Sequence, residues 1–482
     1  MKKPLDFSSL NDFKDEIHEA CGVFGISNQD GFDTAQMTYF GLYALQHRGQ
    51  ESCGIAINNN CEITGHKGIG LVPEVFTEKI LDRLEGNMAI GHTRYSTTGG
   101  SSVENCQPLI FTYKGGKMAL AHNGNLINAT KIRYELENKG AIFQTSTDSE
   151  VIANLISRNG LKCSDIVEVL TRTMDVIEGA YALVILTQKK LVGIRDPWGL
   201  RPLCLGKIGR SYVLASENCA FDVVGAEFIR DIEPGEMVII EGESLTSIMT
   251  KHNKPHRFCI FEHIYFARPD SFIDGASIYK SRLEAGRLLA IESPVEADLV
   301  VGVPDSGITA AIGYSRQSGI PYGEALIKNR YVGRTFIQPN QQLREQSVRI
   351  KLNALYEEIE GKRIIIIDDS IVRGTTSYKI IQMLKNAGAK EVHMRISSPP
   401  VLNPCYFGID ISSKEHLIAA NYSIEEIRES INADTLAFLS VESLLKTPIG
   451  APANCFCTGC FTGEYPMKVP MHVEKSILDK KC

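Results

Sequence analysis

RIIIIDDSIVRGTTS, residues 363–377, decides the fold of the half of the chain that contains it. Four consecutive isoleucines leave no polar face, so the run predicts a central strand buried on both sides. Asp368 and Asp369 then fall at the strand's carboxyl end, the edge where open α/β sheets bind ligands. The loop behind them offers Gly374 for close backbone approach and hydroxyls at Thr375, Thr376 and Ser377. It opens into SYKIIQMLKNAGAK, whose spacing predicts a helix that stops near Gly388. A helix N-terminus directs its free N–H groups at an anion. Vicinal acids beside such a cradle suit a sugar phosphate, whose hydroxyls the acids can hold.

Outward from this stretch the same rhythm continues. LVVGVP (299–304) reads as a strand, a loop follows, and TAAIGYSRQ is apolar at helical spacing; EVHMRISS is a further strand. Strand and helix in alternation predict a doubly wound, mostly parallel sheet. The first half differs. GVFGI, CGIAIN, MAIGHT, MALAHNG, YALVILT, KLVGIRD and YVLASEN are short apolar runs punctuated by glycines, and all read as strands. Two helices are expected among them, one from a capping box Thr147–Asp148–Ser149–Glu150 and one over 164–177. Many strands with few helices predict layered sheets covered by helices. HNKPHR (252–257) is a polar, proline-containing break, which sets the expected domains at 21–251 and 252–470, with a tail at 471–482.

The 482 residues suffice for two or three domains, and 43% hydrophobic with 22% charged residues is ordinary for a globular chain. A net charge of −6 argues against a general nucleic-acid or membrane binder. No run of about 18 apolar residues reads as a membrane span. Residues 1–20 hold five acids and no apolar core, so they are not a secretory signal. A cytoplasmic location is expected. Thirteen cysteines, three of them in NCFCTGC (454–460), make the chain a candidate metal protein.

The stretch 363–377 resembles the phosphoribosyl diphosphate (PRPP) motif of type I phosphoribosyltransferases. The resemblance implies that Asp368 and Asp369 bind the ribose hydroxyls and a Mg²⁺-bound diphosphate, and that Arg373, Gly374, Thr375, Thr376 and Ser377 hold the 5-phosphate. In VPDSG (303–307), the corresponding second loop, Ser306 would face the metal; Gly307 stands where related chains often carry a hydroxyl. KNRYVGRTFIQPNQQLREQ (328–346) carries Lys328, Arg330, Arg334 and Arg344 with little apolar periodicity. Beside the diphosphate motif it reads as a lid over an anionic substrate, with Lys328 and Arg330 touching PRPP.

HEACGVFGI (18–26) raises a separate question. A thiol needs a base to become a good nucleophile. Were Cys21 the first residue, its own α-amine, titrating near ~8, could serve. An internal Cys21 has an amide there, so residues 1–20 would have to be a leader removed on maturation. LQHRGQES (45–52), GHTRYSTTG (91–99), AHNGNLIN (121–128), STDSEV (146–151), EGAYALVIL (178–186) and RDPWGLRPL (195–203) follow Cys21-Gly22 in order. Together they resemble the glutaminase domain of class II, N-terminal-nucleophile amidotransferases, which implies a layered αββα sandwich. It also implies roles: Cys21 as nucleophile, Arg94 on the glutamine carboxylate, Asp148 on its ammonium, and the Asn123 side chain with the Gly124 N–H as oxyanion hole. His92 and His122 read as structural.

Only the second half discriminates among enzymes with such a glutaminase. A PRPP motif there makes the chain, from Cys21 to about Lys468, resemble the glutamine phosphoribosylpyrophosphate amidotransferase family. The resemblance implies synthesis of 5-phosphoribosylamine from PRPP and glutamine at the start of purine synthesis. Ammonia would pass between the sites along a shielded path, with Tyr265 and Ile337 as candidate walls. It further implies inhibition by purine nucleotides and a homotetramer, with no nucleic-acid or membrane partner. Cys457-x-x-Cys460 alone fits zinc, a redox dithiol or an iron–sulfur cluster. Cluster-bearing family members match Cys259, Cys405, Cys457 and Cys460, which implies one structural [4Fe–4S] cluster; Cys455 is an extra thiol nearby. Cys53, Cys61, Cys106, Cys163, Cys204 and Cys219 read as core or incidental. Two other readings stay open at this point: transfer to a different phosphoribosyl substrate, and a PRPP-sensing regulator without catalysis.

Overall fold

The computed structural model describes residues 21–95, 102–250, 254–329, 352–411, 413–452 and 454–470. Among the described residues the first half supplies thirteen strands. They are β1 (Gly22–Ser27), β2 (Ser52–Asn59), β3 (Glu62–Ile69), β4 (Met88–Arg94), β5 (Leu109–Tyr113), β6 (Gly116–Leu126), β7 (Gly179–Leu186), β8 (Leu191–Arg195), β9 (Cys204–Ile208), β10 (Ser211–Ala215), β11 (Glu227–Asp231), β12 (Glu236–Glu241) and β13 (Ser244–Met249). They form two antiparallel sheets, in the orders β11-β9-β10-β1-β4-β2-β3 and β13-β12-β8-β7-β6-β5.

The sheets face each other across a layer of small and branched residues. Val23, Ala56 and Ile90 meet Ala119, Ala121, Ala182 and Val184 there. The approach is close: a Cβ on Gly25 would lie 2.7 Å from Val184 Cγ1. The outer face of the first sheet packs under helices Thr34–Ala44 and Cys219–Val224. The outer face of the second packs under Ala129–Glu137, Asp148–Asn159 and Ile166–Met174. The layering is therefore helix, sheet, sheet, helix, as expected.

The first half holds more helices than the two expected. Ala129–Glu137 buries Ala129, Ile132 and Leu136, an apolar spacing of three and four that was legible. Thr34–Ala44 is apolar nearly all round, which hid its period; Asp33 caps it by accepting from the Gln36 N–H. The capping box at Thr147 does not form. Thr147 is the N-cap residue, but its side chain makes no cap bond. Glu150 instead reaches back to the N–H groups of Gln144 and Thr145, at 2.8 and 2.7 Å, and so fixes the preceding loop.

The second half continues with β14 (Phe258–Cys259), a hairpin of β15 (Phe272–Ile273) and β16 (Ala276–Ser277), β17 (Leu299–Gly302), β18 (Leu326–Lys328), β19 (Leu352–Ala354), β20 (Arg363–Asp368), β21 (Glu391–Ile396), β22 (Thr435–Phe438) and β23 (Phe456–Cys457). Strands β17-β20-β21-β22 make one parallel sheet. The four isoleucines of β20 are all fully buried and alternate: Ile365 and Ile367 pack under Ala285, Leu289 and Ala310, while Ile364 and Ile366 pack under Ile381, Leu384 and Ile427. Helices on both faces thus account for the unbroken apolar run. The helix Thr375–Asn386 ends at Ala387, and Gly388 follows at φ +92°, as its place predicts.

Within the second half the first and last strands meet, and side chains on either side of the boundary join it to the first half. β14 pairs in parallel with β23, so Cys259 lies beside Cys457. Arg195 holds Asp274 through two bonds of 2.8 and 2.6 Å. Asn125 Nδ2 donates to Tyr406 O at 2.9 Å. No helix among the described residues is long and apolar enough to cross a membrane.

Candidate active site

Cys21 immediately precedes β1. The register Gly22↔Thr93 sets it across from Arg94, the last residue of β4, and both are buried. Burial pushes the Cys21 thiol up, more than a backbone hydrogen bond at Tyr95 and the charges of Arg94 and Arg201 draw it down. Such a thiol is a poor nucleophile without a base.

Asn123 and Gly124 lie within β6, paired with Ala182 and Tyr181 of β7, not in a turn. Asn123 is fully buried, and among the described residues neither its Oδ1 nor its Nδ2 finds a partner. Buried amides are nearly always satisfied. A bare, fixed amide is what a developing oxyanion requires. Gly124 has φ +148°, and a Cβ there would strike the Ala180 carbonyl oxygen. Gly124→Ala is expected to cost about 1–3 kcal/mol of stability and to lower glutamine hydrolysis further than that loss explains. Thermal unfolding and glutaminase assays check this; an alanine variant unchanged in both would refute the close packing.

Asp148 opens its helix and is buried. Its Oδ2 accepts from Leu126 N at 2.9 Å, and His122 Nδ1 stands 3.6 Å from its Oδ1. Burial works against its charge, but His122 and the N–H groups of Leu126 and Ser149 outweigh burial and hold the carboxyl below the usual range. At neutral pH it is a carboxylate able to hold an ammonium. His92 Nε2 sits 3.0 Å from His122 O, and burial pushes its imidazole down to about 3, so it is neutral.

One group went unread in the sequence. Arg48 is fully buried and its Nε donates to Cys21 O at 3.2 Å. Two buried glutamates hold it, Glu217 at 2.5 Å and Glu262 at 2.7 and 3.0 Å. These partners stand 169 and 214 residues away in the chain, a separation that no local pattern reports.

In the second half, Asp368 ends β20 and Asp369 N donates to its Oδ1 at 2.9 Å. Burial pushes the Asp369 carboxyl up, against hydrogen bonds from Ser306 and Ser370 and the charge of Arg282. Two buried carboxyls with Ser306 beside them offer the hard oxygen donors that suit Mg²⁺. Gly374, at φ +87°, caps the helix that Thr375 begins; Thr375 and Ser377 are buried, Thr376 is exposed and Arg373 half-buried. Gly307 has no room for a side chain, because its Cβ would meet the Ile367 carbonyl oxygen. Lys328 Nζ bonds Asp305 at 2.5 Å on the rim of an open cavity of about 440 Å³ that Gly302, Tyr322 and Glu324 also line. Arg330, Arg334, Ile337 and Arg344 lie outside the described residues. Tyr265 is half-buried and packs edge-on against Phe266, with ring centroids 5.5 Å apart.

Cys259, Cys405, Cys457 and Cys460 line one small apolar cavity at the junction of the halves, with Arg201 and Tyr465. Burial pushes all four thiols up. Among the described residues no three His, Cys, Asp or Glu side chains converge on a point as one metal ion needs. Four thiols around a shared space, with one guanidinium to offset thiolate charge, fit a polynuclear cluster better than a single ion. Cys455 is buried but does not line that cavity.

Family models for a glutamine amidotransferase domain match residues 92–223, and for a phosphoribosyl transferase domain residues 281–397. The amidophosphoribosyltransferase of Bacillus subtilis is 52% identical over 96% of this chain and 98% of its own. That of Archaeoglobus fulgidus is 52% identical over 93% and 98%. A solved structure of glutamine phosphoribosylpyrophosphate amidotransferase from B. subtilis, complexed with ADP and GMP, covers 94% of this chain and 98% of its own at TM-score 0.88. With both domain types matched in order and half of all residues shared along nearly the whole length, the chain belongs to the amidophosphoribosyltransferases, the enzymes of the first step of purine synthesis.

Proposed function

We propose that Cys21, freed as the first residue by removal of residues 1–20, hydrolyses glutamine in a domain spanning 21–251, and that the ammonia is used in a domain spanning 252–470. The observation that carries this reading is the bare amide of Asn123 in the site that also gathers Cys21, Arg94 and Asp148. The α-amine of Cys21 takes the thiol proton, and the thiolate attacks the carboxamide carbon. Asn123 Nδ2 and the Gly124 N–H receive the oxyanion. The proton passes to the departing ammonia, and water cleaves the thioester to glutamate. Arg94 and Asp148 fix the two ends of the substrate.

In the second domain Asp368 and Asp369 orient the ribose hydroxyls of PRPP, and the loop from Arg373 to Ser377 holds its 5-phosphate at the helix N-terminus. Ser306, Asp368 and Asp369 would hold Mg²⁺, which when bound neutralises the departing diphosphate. Lys328 and Arg330 close over the substrate, and Tyr265 and Ile337 wall the ammonia path. The resemblance to a protein solved with ADP and GMP supports regulation by purine nucleotides. A homotetramer in the cytoplasm completes the reading.

The first test is the intact mass of the purified chain together with its choice of nitrogen donor. A chain beginning at Cys21 that uses glutamine supports the reading. A chain that retains residues 1–20 and still hydrolyses glutamine overturns the assignment of the base.

Cys259, Cys405, Cys457 and Cys460 would hold a [4Fe–4S] cluster, which when bound ties the C-terminal segment to both domains and supplies no redox step. Trp198, the single tryptophan, packs in one apolar cluster with Cys405 and Cys457. Anaerobically prepared protein is therefore expected to show weak tryptophan emission that rises as iron is chelated. Cys405→Ala should lack both the iron and the quenching. Full emission in iron-loaded protein would place the iron elsewhere.

A further inference from the structure

Between β4 and β5 the chain passes through Asn105, Cys106 and Gln107, all of them buried. Gln107 spans two elements. Its Oε1 accepts from His122 N at 2.8 Å, and its Nε2 donates to Ser149 Oγ at 3.0 Å. A peptide N–H can only donate, so the end of the amide that faces His122 is the oxygen, which leaves the nitrogen for Ser149. His122 immediately precedes Asn123 in β6, and Ser149 immediately follows Asp148 at the start of its helix. One side chain therefore grips the neighbours of the oxyanion-hole residue and of the ammonium-holding residue. Ser149 Oγ also lies 3.1 Å from His122 Nδ1 and 3.5 Å from Asp148 Oδ1, which closes a ring of buried contacts. Asn105 holds the other flank of Asp148: its Nδ2 donates to Ser146 Oγ and its Oδ1 accepts from Ser146 N, both at 3.1 Å. The segment is itself anchored to the opposite sheet. Lys67 Nζ, on β3, donates to Cys106 O at 2.6 Å, and the Gln107 carbonyl presses on Gly54 of β2 so closely that no side chain fits there. Buried polar groups with their partners in place rigidify the structure around them.

We propose that Gln107 is a positioning residue for glutamine hydrolysis: by bridging His122 N and Ser149 Oγ it fixes the separation between Asn123 and Asp148, and so makes the α-ammonium of the substrate count toward cleavage of its carboxamide. The inference rests on the reading of Asn123 as oxyanion hole and Asp148 as ammonium holder. Asp148 is tied directly to β6 by Leu126 N at 2.9 Å, and His122 Nδ1, 3.6 Å away, is shared with Ser149. One hydrogen bond sets a distance and leaves a direction open. The bridge through Gln107 supplies the second point. The ammonium and the carboxamide of glutamine stand at opposite ends of a flexible chain. Binding at one end lowers the barrier at the other only where the two subsites keep a fixed spacing. Gln107 itself reaches neither end of the substrate; it acts through the residues beside Asn123 and Asp148.

The test compares glutamine with glutaramate, which has the same carboxamide and carboxylate but no α-ammonium, as substrates of the full matured chain. The ratio of their kcat/KM values does not depend on the fraction of protein folded, so a merely structural role of Gln107 would not move it. The parent is expected to favour glutamine at least about a hundredfold. Gln107→Met keeps the length of the side chain and removes both hydrogen bonds. It should cut that preference at least about tenfold, chiefly through a raised KM for glutamine. Ser149→Ala removes the far end of the bridge, should fold where Gln107→Met does not, and should cut the preference by a similar factor. The double variant should lose no more than either single one, because all three break the same bridge. A Gln107→Met or Ser149→Ala chain that keeps the parent's preference within about twofold, or single losses that multiply in the double variant, overturns the proposal and leaves the reading of Asp148 standing. A parent that hydrolyses both amides equally, or neither, fails that underlying reading, and the proposal falls with it.

Discussion

Replacing Cys21 by alanine is expected to lower glutamine-dependent synthesis by at least about a thousandfold while ammonia-supported synthesis persists. The asymmetry follows from the placement of the two sites. Cys21 lies at the start of β1 in the antiparallel half, and the diphosphate cradle lies at the end of β20 in the parallel half. Removing one sulfur atom leaves only a small cavity, so the fold should survive. What is lost is the covalent route: no other described thiol stands with Arg94, Asn123 and Asp148. Steady-state assays with glutamine and with ammonium chloride, run on the same preparation, check this. A Cys21→Ala chain that still used glutamine would sink the nucleophile assignment; one that lost ammonia use as well would show that Cys21 serves the fold.

Asp368→Asn and Asp369→Asn are expected to do the reverse, lowering synthesis from both nitrogen donors by about a hundredfold to a thousandfold. Each change keeps the side chain's shape but turns one acceptor into a donor and removes a negative charge from the place proposed to hold ribose hydroxyls and a cation-bound diphosphate. Asp369 is the more exacting case. Its carboxyl is buried and takes bonds from Ser306 and Ser370, so an amide leaves at least one of them facing a donor. The glutaminase half should keep its hydrolysis without PRPP. Variants that retained ammonia-supported synthesis within about threefold would remove these acids from the site.

The parts of the molecule that announced themselves in the sequence are those whose physics is local. Four isoleucines followed by two acids and a glycine-hydroxyl loop state a strand, its buried faces and the helix behind it within fifteen residues, and β20 with its following helix matches each point. Seven strands of the first half were legible for the same reason, whereas β3, β5, β9, β11, β12 and β13 went unread. What stayed hidden depends on partners far along the chain. Thr147 and Glu150 have the spacing of a capping box, yet Glu150 turns to the Gln144–Thr145 loop because those N–H groups also need an acceptor. Arg48 sits in a motif that was read, but its importance lies in Glu217 and Glu262, and nothing near it names them. Gly307 looked like a missing hydroxyl; the Ile367 carbonyl pressed against it shows a position that admits no side chain.

The pairing of β14 with β23 has a consequence in time. Arg257 bonds the carbonyl of Asn454, 197 residues later in the chain. At a synthesis rate of about 5–20 residues per second, the ribosome needs roughly 10–40 s to cover that distance. During this interval the glutaminase half has left the exit tunnel whole, while Cys259 waits as a solitary thiol and the strand it will join has not been made. The four cysteines cannot meet until Cys460 emerges. Their assembly is thus reserved for a chain extended at least to Cys460, and one released before that point cannot complete the cavity the four thiols line.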